Sequence, residues 1–237
     1  MKLLRKIVVV SWGAAALFAA AVPAFAGNIG LIGKNYGGVY DVPIRSIKEA
    51  RFSRVVKQEF DFSCGSAALA TLLSYHYEAP VSETAVFTEM YKVGDQTRIH
   101  KFGFSLLDMK QYLETHQLRG DGFRMTLDRL SDIGVPAIVL IETQGYKHFV
   151  VVKGVKGDRV LVGDPARGVR ILPRTQFASM WTGIAFVIRD KASIGKSHFN
   201  EDDDWKVLAA APFGTAMSRQ TLSSFSVHLK GTMSNTF

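Results

Sequence analysis

Gln58-Glu59-Phe60-Asp61-Phe62-Ser63-Cys64-Gly65-Ser66-Ala67-Ala68-Leu69-Ala70-Thr71-Leu72-Leu73 contains the one cysteine of a 237-residue chain, and its reading governs the rest. From Cys64 onward the run is apolar and rich in alanine. Ala68, Leu72 and Tyr75 follow the cysteine at helical spacing, which predicts a helix with one buried face beginning at the sulfur. A sulfur in the first turn lies at the positive end of the helix dipole, where negative charge is favoured. Gly65 leaves the backbone beside it uncrowded for an approaching group. Gln58, six residues upstream, offers an amide donor from the preceding loop. A cysteine nucleophile with an oxyanion-stabilising glutamine is built in this way. A small buried hydrophobe is the competing reading of a lone cysteine, and this stretch alone leaves both open.

The start of the chain decides between them. Lys2, Arg5 and Lys6 precede an apolar stretch from Ile7 to about Val22, and Ala24-Phe25-Ala26 sets small residues before a cleavage point. Residues 1–26 read as a secretory signal peptide, cleaved after Ala26. No later segment has about 18 unbroken apolar residues, so no integral membrane span is expected after cleavage. The compartment expected is the periplasm. Cysteines in an oxidising space are usually paired, and Cys64 has no partner in the chain, which favours the nucleophile.

Composition excludes other classes. The formal charge of +8 falls to about +5 once the three leader cations are removed, and no basic block exceeds a pair. A nucleic-acid footprint needs a clustered stripe, so nucleic acid is not a partner. Weak attraction to acidic partners or anionic surfaces is as far as the charge goes. One cysteine and scattered histidines form no ligand cluster, so neither a metal nor a cofactor is expected.

Residues 27–54 are glycine-rich at first and then carry short strand-like segments, an N-terminal arm and not a domain. A helical half follows: the helix from Cys64, a second capped by Ser82 and running to about Tyr91, a loop from Lys92 to Phe104, and a third capped by Ser105 and running to about His116. Gly120 to Met125 reads as a strand and Thr126 to Asp132 as one or two helical turns. The period then changes to that of strands at 136–141, 146–154, 158–163 and 169–172, with Lys156-Gly157-Asp158 as a hairpin turn. A short helix at 173–181 and a strand at 184–188 complete residues 55–189, an α+β domain with a helical front half packed on an antiparallel sheet. Residues 190–237, with the acidic cluster Glu201-Asp202-Asp203-Asp204, read as a poorly ordered tail or a surface appendage.

A cysteine nucleophile needs a base, and the chain offers six histidines. His76 and His116 fall in or at the ends of helices, His100 in a charged loop, and His198 and His228 in the tail. His148 enters the apolar strand His148-Phe149-Val150-Val151-Val152, where its ring is held rigidly at a strand end. A third group should orient the imidazole. Asp164 ends the next strand, in Gly163-Asp164-Pro165-Ala166-Arg167-Gly168. The hairpin returns it to the same end of the sheet as His148, and Pro165 holds it extended.

Gln58-x5-Cys64-Gly65-x-Ala67-Ala68-Leu69, then His148-Phe149-Val150-Val151, then Asp164-Pro165-Ala166-x-Gly168, and Trp181-Thr182-Gly183 near the end resemble the papain-like peptidase domain of bacteriocin exporters over about Val55 to Ile188. In that family the domain is fused to an ABC transporter and cleaves leader peptides after a double glycine. The resemblance implies a papain-like fold with Cys64 as nucleophile, His148 as general base, Asp164 as orienting acid and Gln58 as an oxyanion-hole donor. Two features depart from it. Ser63 stands where the family usually has aspartate, and a signal peptide replaces the transporter. A free-standing exported form is similar to the periplasmic peptidases of functional-amyloid secretion operons. The implied substrate is an extended segment of another exported protein, an amyloid subunit or a secretion component. The same acyl-enzyme could serve a transpeptidase or amidase, and a domain that kept the fold without turnover would be a peptide-binding module.

Overall fold

The computed structural model describes residues 28–32, 39–43 and 46–206. The expected signal peptide and residues 207–237 lie outside the described residues. Two units are present, divided after Arg45. In the first, β1 (Asn28–Ile32) pairs antiparallel with β2 (Val39–Pro43).

The second unit opens with α1 (Ile47–Arg51), held by a capping box between Ser46 and Glu49. It continues with α2 (Cys64–His76), α3 (Glu83–Val93), α4 (Gln96–Phe102) and α5 (Leu106–Thr115). Then come β3 (Gly120–Arg124), α6 (Leu127–Ile133), β4 (Ala137–Thr143), β5 (Tyr146–Lys156), β6 (Arg159–Asp164), β7 (Gly168–Pro173), α7 (Arg174–Met180) and β8 (Trp181–Ile188). The short helices α8 (Ala192–Ser197) and α9 (Asp202–Lys206) follow. Six strands form one antiparallel sheet in the order β3-β8-β4-β5-β6-β7. This is the α+β arrangement expected, helices packed on an antiparallel sheet.

The sheet is covered on both faces. Leu69, Leu72 and Leu73 of α2 pack with Met90, Met109 and Leu113 against Phe149, Val151 and Phe186. On the other side, Leu127, Leu130 and Phe177 from α6 and α7 meet Val139, Val150, Val152 and Ala185. A strand buried on both faces has no reason to alternate, which is why 148–152 reads as an unbroken apolar run.

α2 is buried on nearly every side, not on one face as its spacing suggested. A helix apolar all round lies within a core. Its polar members are satisfied locally: Thr71 Oγ1 donates to Ala67 O and accepts from the Val56 N–H. The loop expected at Lys92–Phe104 contains α4, capped by Asp95 and closed by Gly103 at φ 76°. Only Ile99 of its seven residues is buried, too little to mark a helical period. β8 begins three residues earlier than expected, because Trp181 pairs with Ile141 across a bulge.

The segment read as a loose tail is folded onto the domain as far as Lys206. The Asn200 N–H donates to Lys153 O at 2.9 Å, and Gly195 lies against Tyr77. Asp204, fully buried, takes Lys153 Nζ at 2.7 Å and Arg54 Nε at 2.9 Å, while Arg54 also pairs with Glu201. The acidic cluster therefore holds a buried lysine of β5. Among the described residues, no helix is long and apolar enough to cross a membrane.

Candidate active site

Cys64 is the first residue of α2 and is buried. The turn before it is tied down by Ser63, whose hydroxyl donates to Phe60 O and accepts the Phe60 N–H. Ser63 thus sits at the cap position but spends its side chain on the preceding loop. Gly65 does not leave a free approach to the sulfur. A Cβ there would lie 2.9 Å from Phe104 Cβ and 3.0 Å from Met109 Cε, so the glycine lets the core close against the helix start.

His148, near the start of β5, is brought to Cys64, and Asp164, at the end of β6, is brought to His148. Nε2 of His148 lies 2.8 Å from Asp164 Oδ1, and both residues are buried. That bond fixes the ring: a proton donated from Nε2 leaves Nδ1 toward the reacting partner. Nδ1 is buried without a hydrogen-bond partner, and Cys64 lies close enough to act on the charge of the ring. Burial acts to lower the His148 pKa, yet the Asp164 carboxylate and the Cys64 sulfur outweigh it and lift it to about 9.

Asp164 is held by its own turn. Oδ1 also accepts the backbone N–H groups of Ala166 at 2.9 Å and Arg167 at 3.2 Å, and Arg170 stands 3.6 Å from Oδ2. Burial would raise its pKa, but His148, the Ala166 N–H and Arg170 together hold the carboxyl below its usual range. The turn needs Gly168: its φ is +78°, and a Cβ would fall 2.7 Å from both Cβ and O of Arg51.

Gln58 joins the cluster through its backbone, its N–H donating to Pro165 O at 3.1 Å beside the Asp164 turn. Its side-chain amide donates to Phe60 O at 2.9 Å, so the expected oxyanion donor is engaged with its own loop in this structure.

Three participants went unread in the sequence. The ring of Tyr146 stacks beside that of His148 at 6.1 Å, and its hydroxyl donates to Asp61 O at 3.3 Å. Burial first, then Cys64 and two aspartates, raise its pKa. Its place two residues before His148 on the same strand was the available signal. Arg170 was hidden because it meets Asp164 only across the β6–β7 hairpin. Glu83 is a buried carboxylate at the start of α3 that accepts from Ser66 Oγ at 2.8 Å, beneath the first turn of α2. Burial raises its pKa against the pull of Ser66 and Ser63.

Among the described residues, the other histidines lie elsewhere. His76 is buried with Nδ1 3.1 Å from His198 O, and burial, aided by Lys153, keeps its pKa low. His198 lies between Glu78 and Glu201, and His116 faces Glu89. Among the described residues, no group of three or more His, Cys, Asp or Glu is placed to hold a metal.

Residues 53–193 match the Peptidase C39 family. The chain is 45% identical over 152 residues to a Pseudomonas aeruginosa protein named probable functional amyloid protease FapD, a span covering 64% of this chain and 67% of the relative. A protein of the same name from Pseudomonas fluorescens is 41% identical over 168 residues, covering 71% and 74%. The crystal structure of the peptidase domain of Streptococcus ComA, a bi-functional ABC transporter involved in quorum sensing, superposes with a TM-score of 0.49. It shares 24% identity and covers 57% of this chain and 96% of that domain.

Proposed function

The chain belongs to the Peptidase C39 family of cysteine peptidases, and from that premise we propose that it is an exported endopeptidase working through Cys64, His148 and Asp164. The observation that carries the proposal is the 2.8 Å bond from His148 Nε2 to Asp164, which leaves Nδ1 unengaged on a ring whose charge Cys64 influences. His148 takes the proton of Cys64 as general base, and Asp164 stabilises the imidazolium that results, the interaction that helps lift the His148 pKa to about 9.

The sulfur of Cys64 attacks a peptide carbonyl, and the carbonyl electron pair moves to oxygen. Backbone N–H groups at the start of α2 receive that oxyanion, together with the Gln58 amide once it turns from Phe60 O. Collapse expels the amine, which takes its proton from His148 and leaves a thioester on Cys64. A water molecule then gives its proton to His148 and attacks the thioester, releasing the acid and restoring the sulfur. Tyr146, exposed beside His148, is placed to contact the entering peptide.

The substrate proposed is an extended segment of another exported protein. Relatives named as probable functional amyloid proteases support an amyloid subunit or a component of its secretion. The periplasm is the proposed compartment, on the strength of the leader in residues 1–26 and these relatives.

Incubation of the purified enzyme with precursor proteins from a Cys64→Ala strain tests the reaction type. Hydrolysis gives two fragments whose masses together equal precursor plus one water. Incorporation of an added primary amine in place of water would identify a transferase and overturn the peptidase reading.

A further inference from the structure

The sequence spreads its cations thinly, but the fold gathers four of them. Lys48 and Arg51 of α1 come together with Arg167 of the β6–β7 turn and Arg170 of β7 around an open pocket of about 680 Å³, whose lining includes the apolar Phe52 and Ile171. Among the described residues no carboxylate lies within ion-pair distance of Lys48, Arg51 or Arg167, and Arg170 reaches only Asp164 Oδ2, at 3.6 Å. The carboxylate of α1 itself, Glu49, is turned away to the Ser46 N–H. The walls are held closely together, because Gly168 packs directly on the Arg51 backbone.

A pocket with three uncompensated cations attracts anions, and like charges at this spacing repel one another until an anion arrives. Its position selects the kind of anion. Through Arg170 the pocket adjoins Asp164, so whatever occupies it lies beside the proposed catalytic centre. Its concavity and apolar lining suit a polypeptide with carboxylate side chains, whereas a flat anionic membrane would meet only the rim. We propose that this pocket binds an acidic segment of the polypeptide substrate, with its carboxylates on Lys48, Arg51 and Arg167. The inference rests on the peptidase reading and adds a substrate feature to it: acidic residues at a fixed distance from the scissile bond.

Fluorescein-labelled deca-glutamate binding to the Cys64→Ala protein, read by anisotropy at low and near-physiological salt, tests the pocket without turnover. The Arg51→Glu/Arg167→Glu variant is expected to bind about tenfold more weakly or worse. A control carrying the same charge change on exposed residues elsewhere, Arg129→Glu/Lys196→Glu, is expected to stay within about twofold. The milder Arg51→Gln/Arg167→Gln variant gives an intermediate loss and covers the case in which charge reversal disturbs folding.

Equal losses in pocket and control variants would overturn the proposal, as would no binding of deca-glutamate. So would binding of phosphatidylserine vesicles in its place. Precursor processing separates the two readings. A failed pocket with a sound peptidase leaves kcat/KM of Arg51→Gln/Arg167→Gln equal to wild type. A failed peptidase reading leaves the Cys64→Ala protein processing as well as wild type, whatever deca-glutamate does.

Discussion

Replacing Asp164 with asparagine removes the charge that holds His148 protonated while keeping an oxygen for the Ala166 and Arg167 N–H groups. The rise of the His148 pKa from 6.5 to about 9 corresponds to about 3 kcal/mol of preference for the imidazolium in the folded protein. Both residues are buried, so solvent screening takes little of this away. Because the folded pKa lies above the unfolded one, the stabilisation is complete below about pH 6.5 and is lost as the pH rises through about 9. In Asp164→Asn, burial, the largest influence on the ring, is opposed by Cys64 without the carboxylate, and the stabilisation that Asp164 supplies disappears. The cost of the substitution is therefore expected to be about 3 kcal/mol greater at pH 6 than at pH 10, measured by urea denaturation of both proteins. Lys153 contributes the opposite slope. Its folded pKa of about 8 lies below its usual value, so its cost is present below that pH and is relieved as the lysine deprotonates. That contribution is common to both proteins and cancels in the difference. A substitution cost that stays flat from pH 6 to pH 10 would refute the claim that Asp164 holds His148 charged.

Other consequences follow from the same geometry. Gln58→Ala should lower kcat by about 10²–10³ with little change in KM, as expected for a donor that meets only the oxyanion; an unchanged kcat would remove Gln58 from that role. Gly168→Ala forces a left-handed φ on alanine and a Cβ into the Arg51 backbone, so a loss of at least about 2 kcal/mol is expected in denaturant titration. Lys153→Met leaves the buried Asp204 with Arg54 as its one remaining cation and should cost about 3 kcal/mol, whereas Lys153→Met/Asp204→Leu should recover most of it. Equal stability of the single and double variants would show that the pair does not anchor residues 190–206.

Much of this was legible because each feature had a local cause. The helix from Cys64 is written in its own composition, and the caps Ser82 and Ser105 each sit where a side-chain oxygen meets a free helix N–H. His148 and Asp164 could be paired from sequence because one hairpin joins their strands and fixes which ends meet. What escaped has distant causes. Asp204 reads as a solvated acid until Lys153, 51 residues away in an apolar strand, is found beneath it. Arg51 and Arg167 look like scattered surface cations until α1 lies against the Asp164 turn. Gly65 invites a role in catalysis by its place beside Cys64, but Phe104 and Met109, some 40 residues on, are what fill the space it leaves. α4 was missed for a different reason, since a seven-residue helix with one buried side chain carries no period to read.

The most direct test of the central claim is the intact mass of exported proteins in the native host carrying Cys64→Ala. The account predicts a precursor that stays unprocessed only in the mutant, with the mass difference marking the cut site. Identical masses in the mutant and wild type, with secretion unaltered, would contradict it.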